Sequence, residues 1–146
     1  PDLHRIATRP EVARMLLKFA PDQSQAEVEA IIRPAMNTLR RPMRLAIRHE
    51  GRFIGTVGLN DGSEPLIYYF LDPDVYGQGI ASEVVLAFCD AVQDWFDLDA
   101  MAAAVFTDNP ASRRVLEKAG FQVEFEHAAY SAGRDSLASG WYMRRG

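Results

Sequence analysis

Cysteine is almost absent from this sequence, which contains Cys89 as its single thiol among 146 residues. One thiol cannot form an internal disulfide, so we expect a chain that folds without disulfides in a reducing compartment, the cytoplasm. Three histidines and one cysteine show no zinc-ligand spacing, and we therefore expect no metal. The sequence also lacks a Gly-x-Ser-x-Gly segment, which argues against a serine hydrolase of the α/β type.

Long apolar runs and an excess of positive charge are missing too. No run approaches the roughly 20 apolar residues that cross a membrane, and residues 1–5 lack the apolar centre of a secretory signal. A formal net charge of −4 argues against non-specific binding of nucleic acid. We therefore expect neither a membrane nor a nucleic acid as partner. The ordinary composition, 48% hydrophobic and 25% charged, predicts one globular domain over residues 1–146.

The N-terminal part predicts two helices. Thr8 and Glu11 have the spacing of a capping box with Pro10 in the first turn, which predicts a helix over residues 8–19. Ser24 is expected to cap a second helix that runs to about Leu39.

The remainder alternates between strand and helix signals. Alternating apolar residues and short turns predict strands over residues 43–49, 52–59, 66–71, 100–106, 121–128 and 136–143. Helical spacing of apolar residues predicts helices over 79–96 and 110–119. The order ααβββαβαββ, with hairpins before a βαβ unit, predicts an α+β fold: a mixed, mostly antiparallel sheet flanked by helices.

A glycine turn joins the third predicted strand to the longest predicted helix, in the segment Tyr76-Gly77-Gln78-Gly79-Ile80-Ala81. Glycines at these positions tolerate positive φ and let the backbone approach a ligand closely. The helix that follows adds the positive end of its dipole and unpaired N–H groups. The segment therefore predicts an anion site, most naturally for a phosphate.

A second informative segment begins at Asn109 and ends at Phe121. Asn109 before Pro110 predicts a helix N-cap, and Ser112 lies three residues on, where it can face the same cleft. The segment ends in Lys118-Ala119-Gly120-Phe121. In this order, the two segments resemble the acetyl-CoA site of the GNAT superfamily of N-acetyltransferases. The aromatic Tyr76 and the preceding Leu71-Asp72-Pro73 are similar to the RimJ/RimL-like branch.

The resemblance implies acetyl-CoA as co-substrate and a primary amine as acceptor, either a protein N-terminus or a small molecule. It implies direct transfer in a ternary complex, and a homodimer, since members are often dimeric. Asn109 and Ser112 would lie beside the pantetheine arm, and a backbone N–H near Phe70 or Leu71 would polarise the thioester carbonyl. The pyrophosphate would be held mostly by backbone groups of Tyr76, Gly77, Gln78, Gly79, Ile80 and Ala81.

The catalytic groups depart from the family pattern. Many members carry a thiolate-protonating tyrosine seven residues after the asparagine, where this chain has Leu116. Resemblance to the RimJ/RimL-like branch nominates Ser112 instead, as a hydrogen-bond donor or relay. That branch often has a glutamate base in an Ala-Glu-Tyr segment, and this chain reads Ala128-Ala129-Tyr130. The replacement candidates are a water chain or the side chains of Asn60, Asp61, Glu126 and His127.

Two other functions fit the same segments. A non-catalytic acyl-CoA-binding module or sensor would keep the turn and lack converging catalytic groups. A nucleotide-binding domain would use Gly77 and Gly79 for a phosphate and an acidic residue about 20 positions on for a ribose, where Asp97 and Asp99 stand. The third glycine of a dinucleotide fingerprint is missing, because Ser82 occupies its place.

Overall fold

The computed structural model describes residues 1–33 and 41–146. The helices are α1 (Asp2–Ala7), α2 (Pro10–Ala13), α3 (Gln25–Ile32), α4 (Ile80–Trp95) and α5 (Pro110–Lys118). The strands are β1 (Met43–His49), β2 (Arg52–Leu59), β3 (Ile67–Leu71), β4 (Met101–Phe106), β5 (Gln122–Ser131) and β6 (Ser136–Arg145). A 3₁₀ turn over Pro73–Val75 separates β3 from the glycine turn.

The N-terminal helices differ from the prediction. The capping-box interpretation of Thr8 is wrong: α1 precedes it, and the Thr8 hydroxyl donates back to the carbonyl oxygen of His4 at 2.6 Å. Arg9 takes the N-cap position of α2, which ends at Ala13 rather than Phe19. The Ser24 cap is confirmed, since its hydroxyl accepts from the N–H of Glu27 at 3.2 Å. The predicted extension of that helix to Leu39 lies outside the described residues.

The strands form two antiparallel sheets rather than one continuous sheet. The first has the order β1-β2-β3 and the second the order β4-β6-β5. A parallel bridge between Leu66 and Ala102 connects them, and the Ala102 N–H donates to the carbonyl oxygen of Pro65 at 2.9 Å. Strands β3 and β4 thus start side by side, and the structure records no other ladder between them along the described strands. We call the space between their carboxyl-terminal halves, which share no ladder in the described strands, the gap.

Two hydrophobic cores hold the elements around this gap. The larger lies under α4 and α5, where Val85, Phe88, Val92 and Leu116 pack on both sheets. The smaller lies on the other face of the first sheet, where α1 to α3 cover Phe70. Burying a large aliphatic or aromatic side chain stabilises a fold by about 1.5–3 kcal/mol, so these contacts set the position of every helix.

The α+β class, the βαβ unit around the glycine turn and the helix-flanked antiparallel strands are confirmed. Most element ends agree with prediction to within one or two residues, and the final hairpin is longer, with β5 reaching Ser131 and β6 reaching Arg145. The observed order is αααβββαβαββ, with α1 as the addition. Its short apolar face, Ile6 and Ala7, is fully buried.

Candidate active site

The glycine turn has the geometry of an anion site. Gly77 and Gly79 have φ values of 80° and 76°, in the left-handed region that favours glycine. A Cβ atom built on either would meet nothing within 4 Å, so the space above the turn is open. Gly79 is the N-cap of the 16-residue helix α4, and no side chain caps that end. The first N–H groups of α4 therefore point at open space with the positive end of the helix dipole behind them.

A buried carboxylate holds the chain just before this turn. Asp72 is completely buried and accepts from the N–H of Asp74 at 3.0 Å, which closes the 3₁₀ turn. Arg5, Arg9 and Arg52 surround it at 3.5, 3.0 and 3.3 Å. Burial alone would raise the pKa of Asp72, but the Asp74 N–H and the arginines outweigh it and lower that pKa. The cluster ties α1, α2 and β2 to the start of the turn.

The alternation of the β3 backbone decides which N–H groups face the gap. The N–H of Asp72 donates to Ile54 at 2.6 Å, and the carbonyl of Leu66 accepts from Asn60 at 3.0 Å. Even-numbered residues of this segment therefore direct their backbone groups toward β2, and odd-numbered residues direct theirs toward the gap. Of the two residues proposed to polarise the thioester, Leu71 presents its N–H to the gap. The N–H of Phe70 points to β2, and its side chain lies in the smaller core.

Helix α5 closes the far side of the gap. Its N-cap Asn109 accepts from the N–H of Ser112 at 3.3 Å, as predicted for a cap. The Ser112 hydroxyl in turn is hydrogen-bonded to the hydroxyl of Tyr69, which reaches across from β3. Burial raises the pKa of Tyr69 to about 12, and the Ser112 hydrogen bond offsets only part of that rise. Two hydroxyl groups thus meet between β3 and α5.

His127 lies on the opposite face of the second sheet from Ser112. Gly140 pairs with both Phe106 and His127, so these residues share one face. The neighbouring Trp141 belongs to the other face, where the Arg113 guanidinium of α5 lies 4.5 Å from its ring centroid. The His127 Nδ1 lies 3.2 Å from the Gly140 carbonyl oxygen.

A small cavity of about 30 Å³ adjoins His127, which is room for one water molecule. Met15 and Leu17, from the segment after α2, form part of its lining. Hydrogen bonds hold that segment to the β5–β6 turn: the N–H of Ala132 donates to Leu17 at 2.9 Å, and the Ser131 hydroxyl donates to Leu16 at 2.5 Å.

Asn60 lies at the other end of β3 from the glycine turn. Its side-chain oxygen accepts from the N–H of Leu66 at 2.7 Å, and its own N–H donates to the Leu66 carbonyl at 3.0 Å. Both contacts close the β2–β3 connection beside the bridge to Ala102. The structure therefore gives Asn60 a structural role and does not bring it to Ser112.

The acidic residues of the nucleotide hypothesis are also remote from the turn. Asp97 and Asp99 follow the carboxyl end of α4 and precede β4. A 16-residue helix is about 24 Å long, so neither carboxylate reaches a ligand held at Gly79. A dinucleotide fold needs its acidic residue at the carboxyl end of a strand near the glycines. The nucleotide hypothesis is therefore not favoured.

The described ranges 1–33 and 41–146 contain neither a metal-ligand cluster nor a helix that could span a membrane. No group of three or more His, Cys, Asp and Glu side chains there is arranged to bind a metal ion. Within the same ranges, no helix has both the length and the apolar character that a membrane crossing requires.

Tyr69 and the arginine partners of Asp72 are not among the site residues that the sequence predicted. Tyr69 sits in the bulky run 66–71, and the period of two could have placed it on the face of Leu71. Nothing in the sequence indicates that this face meets Ser112, because the contact spans 43 positions. The arginines around Asp72 come from three separate elements, which only the packed fold assembles.

Comparison with known proteins agrees with this geometry. Residues 1–122 match the family model described as an acetyltransferase (GNAT) domain. A curated relative, the uncharacterized N-acetyltransferase YoaA of Bacillus subtilis, is 36% identical over 81 residues. That alignment covers 53% of this chain and 46% of the relative, so the chain matches about half the length of this curated protein.

Solved structures share the whole fold at low identity. RimL, a ribosomal L7/L12 α-N-protein acetyltransferase in complex with coenzyme A, has a TM-score of 0.82 and 19% identity, covering 99% of this chain and 84% of that one. A spermidine N-acetyltransferase from Vibrio cholerae, in complex with CoA and spermine, has a TM-score of 0.79 and 18% identity, covering 97% and 85%. The family match spans most of the sequence and includes the glycine turn and α5, and on that basis the chain belongs to the GNAT acetyltransferase family.

Proposed function

We propose that this protein transfers an acetyl group from acetyl-CoA to a primary amine, by direct attack in a ternary complex, as a member of the RimJ/RimL-like branch. One observation carries the proposal: two left-handed glycines lie in open space at the uncapped start of α4, next to the end of β3, which no longer pairs with β4 and from which Tyr69 reaches Ser112. The glycine turn would bind the pyrophosphate of acetyl-CoA, and the gap beside it would take the arm that carries the thioester. Similarity to RimL and to a spermidine acetyltransferase, both in complexes that contain CoA, supports the assignment.

The pyrophosphate would bind the backbone N–H groups of the turn from Tyr76 to Ala81. Binding through the backbone needs no particular side chain, which is consistent with the exposed positions of Tyr76 and Gln78. The pantetheine arm would run along the gap beside Asn109, whose side-chain oxygen already caps α5. Its thioester would then come to rest between β3 and α5.

The two faces of the sheet would keep the two substrates apart until the amine attacks the thioester carbonyl carbon. The Leu71 N–H would stabilise the negative charge that develops on the carbonyl oxygen during attack. The thiol would leave on the α5 side, toward Ser112. The amine would approach from the other face of the second sheet, where His127 lies. Because the amine would attack the thioester directly, with no acyl-enzyme in between, both substrates must be bound together, which defines a ternary complex.

His127 is our candidate for the group that deprotonates the amine. A carbonyl oxygen only accepts hydrogen bonds, so the contact with Gly140 makes Nδ1 the protonated nitrogen of the neutral ring. The lone pair then belongs to Nε2, which is the form that a base needs.

The acceptor is a primary amine, either a protein N-terminus or a small molecule. Related structures include enzymes of both kinds, one a ribosomal-protein acetyltransferase and one a spermidine acetyltransferase. A homodimer and a cytoplasmic location remain predictions. The buried, single Cys89 is consistent with a reducing compartment.

Thermal unfolding with acetyl-CoA, and with NAD and ATP as controls, tests the proposal. A ligand at 100 times its dissociation constant adds about 2.7 kcal/mol of stability, or several degrees in a domain of this size. We expect a rise with acetyl-CoA alone, followed by turnover in a screen of amine acceptors. A rise only with NAD or ATP would overturn the proposal. Binding of acetyl-CoA without turnover across peptide, polyamine and amino-acid acceptors would favour the non-catalytic module.

A further inference from the structure

We propose that Tyr69 is a positioning residue that holds the Ser112 hydroxyl so that its proton points at the departing sulfur of coenzyme A. This inference deepens the proposed function and rests on it. The resemblance to the family gives no role to Tyr69. With this inference, two coupled hydroxyl groups, those of Tyr69 and Ser112, serve the leaving group instead of Ser112 alone.

The first support is the placement of the pair. Tyr69 lies on the α4 and α5 face of β3 and packs against the larger core, so its ring has little freedom to move. Its hydroxyl reaches the Ser112 hydroxyl and also lies 3.5 Å from the Ser112 carbonyl oxygen. Ser112 is fixed from its own side by the Asn109 cap at the first turn of α5. Both partners are therefore held in place before any ligand arrives.

The second support is the direction of the hydrogen bond. A phenol is a stronger acid than an aliphatic alcohol, and its oxygen is the poorer acceptor because its lone pair is delocalised into the ring. Since burial raises the pKa of Tyr69 to about 12, the phenol is protonated at neutral pH. The geometry allows either oxygen to donate, and on the difference in acidity we assign Tyr69 as the donor and Ser112 as the acceptor. The Ser112 proton is left free to donate elsewhere, into the gap.

The third support is the hydrogen bond that the free Ser112 proton can donate to the departing sulfur. When the amine nitrogen bonds to the carbonyl carbon, the carbon–sulfur bond breaks and its electron pair moves to sulfur. A hydroxyl that already accepts a hydrogen bond is a better donor, so Tyr69 strengthens the bond from Ser112 to that sulfur. Neither hydroxyl loses its proton. The proton that the amine gives up goes to His127, and coenzyme A leaves as a thiolate that is hydrogen-bonded to Ser112 and takes its own proton from water.

The test measures the pKa of the thiol of coenzyme A bound to the protein, by thiolate absorbance as the difference between complex and free protein. It needs no acceptor amine. The protein's own thiol adds no signal at neutral pH, because burial raises the pKa of Cys89 to about 11. The variants are Ser112→Ala, Tyr69→Phe, their double mutant, and Tyr68→Phe as matched control. Tyr68 immediately precedes Tyr69 on β3, so its side chain lies on the opposite face of the strand. Its hydroxyl donates to the Met43 carbonyl oxygen at 2.7 Å.

We expect Ser112→Ala to raise the pKa of the bound thiol by about one unit, the value of one hydrogen bond to a charged group. Tyr69→Phe should raise it by about half a unit, and the double mutant should match Ser112→Ala, because Tyr69 acts only through Ser112. Tyr68→Phe should leave it unchanged. An unchanged thiol pKa in Tyr69→Phe, or additive effects in the double mutant, would overturn the pairing while the proposed function stands. Failure of the wild-type protein to bind coenzyme A would overturn both.

Discussion

The carboxylate of Asp72 accepts a hydrogen bond from the Arg9 guanidinium at 3.0 Å, although 63 positions separate the two residues. Arg9 caps α2, and Asp72 begins the turn that leads to Gly77 and Gly79. One buried contact therefore couples the N-terminal helices to the proposed phosphate site. Because the carboxylate is inaccessible to water, its arginine partners are the reason it can remain ionised.

Substitution of Asp72 tests this coupling. Asp72→Asn should lower the free energy of unfolding by about 2 kcal/mol, since it removes charge-assisted hydrogen bonds to partners that are themselves partly exposed. It should also weaken acetyl-CoA binding, because the turn loses its anchor. Urea unfolding and calorimetric titration measure the two effects. Asp74→Asn is the matched control: Asp74 meets two of the same arginines, Arg9 and Arg52, but is mostly exposed, so a loss equal to that of Asp72→Asn would contradict the argument.

Acid should destabilise the fold through the same carboxylate and through Asp108. Hydrogen bonding to Arg134 lowers the pKa of Asp108, and the pKa of Asp72 is lowered as described above. A carboxyl with a lowered folded-state pKa adds stability above its unfolded pKa of about 3.9, and that stability is lost as pH falls through the folded value. We expect the melting temperature to drop steeply below about pH 4. Asp72→Asn combined with Asp108→Asn should make this drop in melting temperature less steep. An equally steep drop in the double variant would contradict the role of these two carboxylates.

Gly79→Glu should abolish acetyl-CoA binding. The new side chain would occupy the open space above the turn and place a negative charge against the pyrophosphate. Gly62→Glu is the matched control, because Gly62 also has positive φ, 108°, and also faces open space, in the β2–β3 connection. Both variants should lose similar stability from backbone strain, and only Gly79→Glu should lose the thermal shift with acetyl-CoA. Normal binding by Gly79→Glu would remove the turn from the site.

His127→Gln tests the proposed base. Loss of a general base lowers kcat by about 100-fold or more, whereas the affinity for acetyl-CoA should not change because His127 lies on the other face of the sheet. Steady-state kinetics with an established acceptor amine, together with calorimetric titration, separate these effects. His4→Gln serves as control, because the His4 ring likewise contacts a backbone carbonyl oxygen, that of Gln23 at 2.8 Å. A His127→Gln kcat within about twofold of the wild type would exclude the histidine from proton transfer.

Prediction from sequence succeeded where the physical cause is local. Ser24 caps α3, Asn109 caps α5, and Gly77 and Gly79 adopt the left-handed conformation expected from the turn. Each of these outcomes depends on residues within three or four positions. The prediction failed at Thr8, where a local capping signal competed with a helix that forms because Ile6 and Ala7 are buried in the smaller core. Burial of apolar residues outweighed the cap, as tertiary contacts commonly do.

The amino-acid sequence alone determined the fold class, the glycine turn and the two segments of the proposed cofactor site, because periodicity, glycine conformation and helix capping act over a few residues. The tertiary structure decided what those segments face. It directed the N–H of Leu71 rather than Phe70 into the gap, brought Tyr69 to Ser112, placed His127 on the opposite face, and confined Asn60 to a closed turn. These relationships join residues from different strands and helices. They follow from how strands pair and how the helices pack, which no local pattern in the sequence encodes.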